Sequence, residues 1–219
     1  MMHLTRILRL DDSLIDAIHR HRNTREMALT CLAVILAGTM LYGTGIGIWR
    51  SPLQAAYSAI KMPLLFIATV MASGTANAML AQVSGSGLTF RQVLLCIAIT
   101  MTISASLLGA LAPVTFFMST QLPASESAYP WMLASLTATV GLSGTLGVVR
   151  MHRLLSRLTP MPKRIMLAWF AVSGFAGCQL SWLFSPFLLA PGAETTFLNP
   201  QAFSGNFYEY LWHTLTGGI

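Results

Sequence analysis

Gln92 to Phe117 reads QVLLCIAITMTISASLLGALAPVTFF, a run with no charged residue and no histidine. At about 1.5 Å of rise per helical residue it is long enough to cross a hydrocarbon layer of roughly 30 Å. Four more stretches share this character: Met27 to Trp49, Met62 to Val83, Tyr129 to Val149 and Ile165 to Ser185. No soluble fold needs five such runs. The expectation is an all-α protein, a polytopic bundle of five transmembrane helices with interfacial helices at its ends.

Composition agrees: 54% of residues are hydrophobic and 9% charged, with a mean hydropathy of +0.64, outside the soluble globular range. In a soluble chain the net charge of +6 would suggest nucleic acid as a partner. Here the distribution of charge gives it another use. With the N-terminus inside, that side receives Arg6, Arg9, Arg20, Arg22, Arg25, Arg91, Arg150, Arg153, Arg157, Lys163 and Arg164, and only Arg50 and Lys61 fall outside. Leu122 to Tyr129 and Pro186 to Ile219 carry Glu126, Glu194 and Glu209 but no Lys or Arg, as the positive-inside rule expects of exported segments. The reading is therefore five spans in the cell inner membrane, N-terminus cytoplasmic and C-terminus outside, with no nucleic-acid partner.

Three segments follow from this: 1–26, 27–185 and 186–219. The first is a cytoplasmic amphipathic prelude, in which Asp12 or Ser13 is expected to cap a short helix with Leu14, Ile15 and Ile18 on one face. That face is expected to lie on the cytoplasmic leaflet, with the arginines near anionic headgroups. The second is the five-span bundle, whose first span is expected to remain as a signal anchor because no cleavable signal precedes it. The third is an extracytoplasmic aromatic tail resting on the outer leaflet or on the protein's own spans. Between the first two spans, Arg50, Gln54, Tyr57, Ser58 and Lys61 recur at helical spacing, which predicts a surface helix on the outer face, with Lys61 reaching for headgroups. Gly109 and Pro113 predict a kink in the third span.

Chemistry-bearing residues are sparse. All five histidines (His3, His19, His21, His152, His213) lie outside the spans, which removes the usual axial ligands, and no cofactor or metal is expected. Enzyme motifs do not appear, although Ser58 and Lys61 share a helical face as a serine–lysine dyad would. Small residues recur four apart: Gly43 and Gly47, Gly74 and Ala78, Ser143 and Gly147, and Ser173, Gly177 and Ser181, the pattern that lets helix backbones approach in lipid. Asn77, Gln82, Thr100, Thr102 and Gln179 are uncharged polar residues suited to interhelix hydrogen bonds or a narrow pore lining. Trp49, Tyr57, Tyr129, Trp131, Trp182, Tyr208, Tyr210 and Trp212 gather at the outer boundary, with Trp169 near the cytoplasmic one.

The segments Ala59 to Phe66, Ala112 to Phe117, Gln179 to Trp182 with Pro186 and Phe187, and Asn206 to Glu209 resemble a pattern in uncharacterised polytopic bacterial inner-membrane proteins. In span number and sidedness the chain is also similar to Yip1-type five-pass proteins, a resemblance that implies membrane organisation or partner recruitment. The cytoplasmic motif expected of the eukaryotic members is not evident, and neither resemblance supplies a catalytic residue. The sequence thus favours a non-enzymatic subunit that anchors or scaffolds a membrane assembly, its partners being lipids and other membrane subunits. Arg50, Tyr57, Lys61, Trp182, Phe207, Tyr208, Tyr210 and Trp212 are the expected partner or lipid contacts. The alternatives are a homo-oligomeric channel or membrane-permeabilising effector using Asn77, Gln82, Thr100 or Gln179, and a lipid-handling enzyme using Ser58 and Lys61 or Glu209.

Overall fold

The computed structural model describes residues 2–202 and 204–216. Two short helices, α1 (Met2–Arg9) and α2 (Asp12–His19), precede five long ones: α3 (Thr24–Gly47), α4 (Pro52–Val83), α5 (Phe90–Gln121), α6 (Tyr129–Leu158) and α7 (Pro162–Phe184). An irregular segment then leads to α8 (Phe207–Thr216), and no strand occurs among the described residues. Each of the five long helices has the length and apolarity to cross a membrane.

Local sequence sets the boundaries. Ser51 accepts from the Gln54 N–H at 3.1 Å with Pro52 at the first helical position, and Thr89 and Gln92 form a reciprocal capping box at the start of α5. The same chemistry corrects an expectation. The outer surface helix predicted over Arg50 to Lys61 is the first three turns of α4, which runs without a break through Pro63. With 32 residues, α4 is about 48 Å long, more than a hydrocarbon core requires. Likewise α5 continues through Pro113, whose ring faces outward.

The centre of the bundle is α5, whose apolar window is 61% buried, against 6% for α7. It packs on α3 and α6, while α4 lies against α3 and α7. Lipid supplies no hydrophobic drive between spans, so close backbone approach must hold them together. Gly38 and Gly109 provide it where α3 crosses α5: a Cβ built on Gly109 would lie 2.9 Å from the Gly38 Cα. Gly43 and Gly47 serve α3 in the same way against the backbone of α4 at Ser58 and Ala55, and Gly147 of α6 sits on the Ser104 hydroxyl of α5. Hydrogen bonds add to this packing, from Ser119 Oγ to Gly45 O at 2.6 Å, from Ser104 Oγ to Ser143 O at 3.0 Å, and between the hydroxyls of Tyr42 and Thr139.

Two apolar clusters stack along the bundle. One, around Tyr42, Ile46, Trp49, Met62, Leu108 and Met132, includes Leu188 from the segment after α7. The other joins Met27, Cys31, Val93, Cys96, Leu154, Leu155, Ile165 and Trp169 to Ile7, Leu10, Leu14 and Ile18 of the N-terminal segment. That second cluster overturns the expected lipid-facing role of residues 1–26. Their apolar stripe is spent on the protein, where α1 and α2 cap the arginine-rich end of the bundle. Gln92 Nε2 donates to Ile18 O at 3.2 Å, and Arg157 Nη1 donates to Leu10 O at 3.0 Å and to Asp12 Oδ1 at 2.9 Å. The α2 cap is Asp11, which accepts from Leu14 N at 2.9 Å, one residue before the expected position. Trp169 is also a core residue, 1% exposed, with its indole N–H donated to Asn77 O at 3.0 Å, which takes it out of the interfacial belt.

Candidate functional site

Two places gather unusual chemistry. The first is a polar cage at the start of α4. Gln54, Ser58 and Lys61 lie one helical turn apart on one face, and all three are fully buried. Their donors converge on main-chain carbonyls of the segment after α7, with Lys61 Nζ reaching Pro186 O at 3.0 Å and Thr196 O at 3.2 Å. Ser58 Oγ donates to Phe187 O at 2.8 Å, and Gln54 Nε2 lies 3.1 Å from Pro186 O and 3.2 Å from Phe187 O. Rings enclose the ammonium, with Nζ 5.9 Å from the Tyr57 centroid and 5.4 Å from that of Phe197, which itself meets Tyr57 edge-on at 5.3 Å. No carboxylate pairs with Lys61 among the described residues. The Ser185–Pro186 peptide is cis.

The expected role of Lys61 at headgroups is therefore replaced. Its stem and head are covered by residues 186–197, because irregular backbone next to an apolar bundle needs donors for its carbonyls and α4 supplies three side chains of them. The Ser58 and Lys61 donors point to different tail carbonyls. The sequence signal was the i, i+4, i+7 polar stripe, which reads the same whether headgroups or the chain's own tail cover it.

Several other expected contacts are also used internally. Trp182 is half-buried and its carbonyl accepts from Ser185 Oγ at 2.8 Å and Asn199 Nδ2 at 3.3 Å. Gln179 Oε1 accepts the Phe207 N–H at 3.2 Å at the start of α8, and Tyr208 stacks on Phe175 with centroids 4.7 Å apart while its hydroxyl donates to Phe175 O. Arg50 is half-buried in the turn between α3 and α4, and Trp212 is 66% exposed. The side chain of Tyr210 lies outside the described residues.

The four pore candidates do not share a lining. Asn77 Nδ2 donates to Ser173 Oγ at 2.9 Å within the α4–α7 contact. Thr100 donates back to Cys96 O, Gln82 is exposed near the end of α4, and Gln179 holds α8. Of the four, Asn77 and Gln179 thus bond across helices, Asn77 to α7 and Gln179 to the start of α8, while Thr100 bonds within α5.

The second place is a lateral cleft of about 240 Å³ between α6 and α7, floored by α5 and closed at the back by Phe66 of α4. It exists because α6 packs chiefly on α5 and α7 chiefly on α4, so these two consecutive helices diverge. Ile97, Met101, Met151 and Trp169 form its depth, and Val140 and Phe170 its exposed rim. Gly144 and Gly174 border it, and a Cβ on either would meet nothing within 4 Å. Nothing in the order of residues marks this cleft, since glycine serves close approach and an unfilled wall alike.

Five helices of spanning length around a shared apolar interior define a multi-pass helical membrane protein. Set beside known protein families, curated proteins and solved structures, the chain matches none.

Proposed function

We propose that this protein is a non-enzymatic membrane subunit that anchors or scaffolds a larger assembly, and that the outer face of α6 is where a transmembrane helix of another subunit packs. One observation carries this reading. Thr137, Gly141 and Thr145 recur four apart on α6, flanked by Ala134 and Ala138, and all five are exposed. The opposite face of the same helix, with Met132, Ser143, Gly147, Met151 and Leu154, is already buried. A small-residue stripe in lipid favours a helix over acyl chains, because backbones approach closely and dispersion contacts gain what the hydrophobic effect does not supply. Gly141 has the open space that a partner backbone needs. The tail-end aromatics read earlier as contacts are a weaker choice, because the cage and α8 consume most of them.

The charge distribution supports an inner-membrane placement with α1 and α2 in the cytoplasm and residues 186–216 outside, since eleven of thirteen Lys and Arg fall at the first end. Reporter fusions at both termini check this orientation; a cytosolic C-terminus refutes it. Function is tested by purification from native membranes in mild detergent. Wild type should elute with a second membrane protein at fixed stoichiometry, and Gly141→Leu should lose it while keeping its own thermal transition. A partner-free monomer from native membranes contradicts the proposal.

A further inference from the structure

We infer that the cleft between α6 and α7 binds a single hydrocarbon chain of a membrane lipid, drawn in sideways from the bilayer. On α6 the deep wall of the cleft, Ser143 and Gly147, lies roughly 140° around the helix from the small-residue face by the helical repeat, while Gly144 and Val148 border that face, and the inference does not rest on a partner there.

Depth selects the ligand first. All but one of the lining positions fall within the apolar spans, Ile97 to Ser104 in α5, Val140 to Val148 in α6, Trp169 to Gly174 in α7 and Phe66 in α4, and Met151 alone lies at the arginine-bearing end. The rim is therefore level with acyl chains and away from headgroups. Access is from the side, since the rim residues Val140 and Phe170 are 41% and 56% exposed on the outside of the bundle.

Chemistry selects it second. The cleft has four hydroxyl side chains, and their bonds are directed into the protein. Thr100 Oγ1 donates to Cys96 O at 2.9 Å, Ser104 Oγ to Ser143 O at 3.0 Å and Ser143 Oγ to Val140 O at 3.1 Å, while Ser173 Oγ accepts from Asn77 Nδ2. A polar ligand would find no charge to pair with and few free donors, so it would be desolvated without return. A flexible alkyl chain has nothing to desolvate. Size agrees: a dry apolar cavity of roughly 150 Å³ already accepts benzene, and this one holds about 240 Å³. Trp169, 1% exposed yet lining the cleft, would touch the inserted chain while lipids surrounding the bundle cannot reach it.

That burial supplies the test. The protein is reconstituted into phosphatidylcholine vesicles with or without bromine at mid-chain positions, and the Trp169 emission is taken as the difference between wild type and Trp169→Phe. Bromine should quench the Trp169 share strongly, and Gly174→Leu, which places its side chain in the open space, should reduce that quenching several-fold. Lipid retention after detergent washing, read by native mass spectrometry, is the parallel measurement should Trp169→Phe not fold: about one tightly held phospholipid per chain is expected in wild type and none in Gly174→Leu. Unquenched Trp169, quenching unchanged by Gly174→Leu, or equal lipid retention in both proteins overturns the inference. So does quenching that appears in the isolated chain but vanishes in a complex purified from native membranes, which would assign the cleft to a partner's side chain.

Discussion

The α3–α5 crossing and the α6–α7 side use the same residue to opposite ends. Gly38 and Gly109 bring two backbones together until no side-chain atom fits between them, whereas Gly141, Gly144 and Gly174 border space that nothing in this chain fills. In lipid the first arrangement is what holds a bundle, because packing replaces the missing hydrophobic drive. The second leaves room on the α6–α7 side, and it is this room that the proposed partner helix and the inferred lipid chain would fill.

The largest effect expected from this contrast is at the closed crossing. Gly38→Leu must push apart backbone that cannot yield, costing about 1–3 kcal/mol or more, and should lower the thermal transition and yield of folded protein in detergent. Gly141→Leu should shift that transition little. Equal losses from the two would break the comparison.

Next comes the cage under the tail. Lys61→Met keeps the length of the side chain but leaves Thr196 O without its donor, at about 1–3 kcal/mol, while Pro186 O keeps the bond from Gln54 Nε2. Limited proteolysis should then cut within residues 190–195 faster than in wild type, with α3 to α7 still resistant. Unchanged cleavage would mean that Leu188 and Leu189, both buried, hold the segment alone.

A smaller loss is expected from Ser104→Ala, which removes the bond to Ser143 O; interhelix hydrogen bonds in membranes average about 0.6 kcal/mol. The shift in thermal transition should be modest, and additive with Gly141→Leu because Ser143, which accepts the Ser104 bond, and Gly141 lie on opposite faces of α6. The smallest belongs to Arg157→Ala. Its bonds to Leu10 O and Asp12 are partly solvated, with side chains 49% and 100% exposed for the ion pair, so a few tenths of a kcal/mol at most is expected. Hydrogen exchange should quicken in α1 and α2 and nowhere else.

How much of this was legible in the sequence follows from what each pattern encodes. The five spans were readable because an uncharged run of about 20 residues has few other homes. Their ends were less so: α6 continues to Leu158 because Met151, Leu154 and Leu155 find a buried seat, and a count of apolar residues stops at Val149 where the arginines begin. Amphipathicity predicted helices in the N-terminal segment, but a stripe of Ile7, Leu14 and Ile18 has the same spacing whether lipid or protein receives it. The polar stripe of Gln54, Ser58 and Lys61 has the same ambiguity, resolved only once residues 186–197 fold back over it. The small-residue faces are legible at Ser143 and Gly147, which pack on α5, and not at Thr137, Gly141 and Thr145 on the far side of the same helix. Pairing of faces is a property of the assembled bundle, and a single chain read in order does not contain it.

The claim that α6 is held open for a partner is tested most directly by photo-crosslinking in native membranes, with a photoreactive residue placed in turn at Thr137, Gly141 and Thr145, and at Ala110 on the exposed side of α5 as a reference. The account predicts one discrete adduct of higher mass from the three α6 positions and none from Ala110. The absence of any α6 adduct, or the same adducts from all four positions, would contradict it.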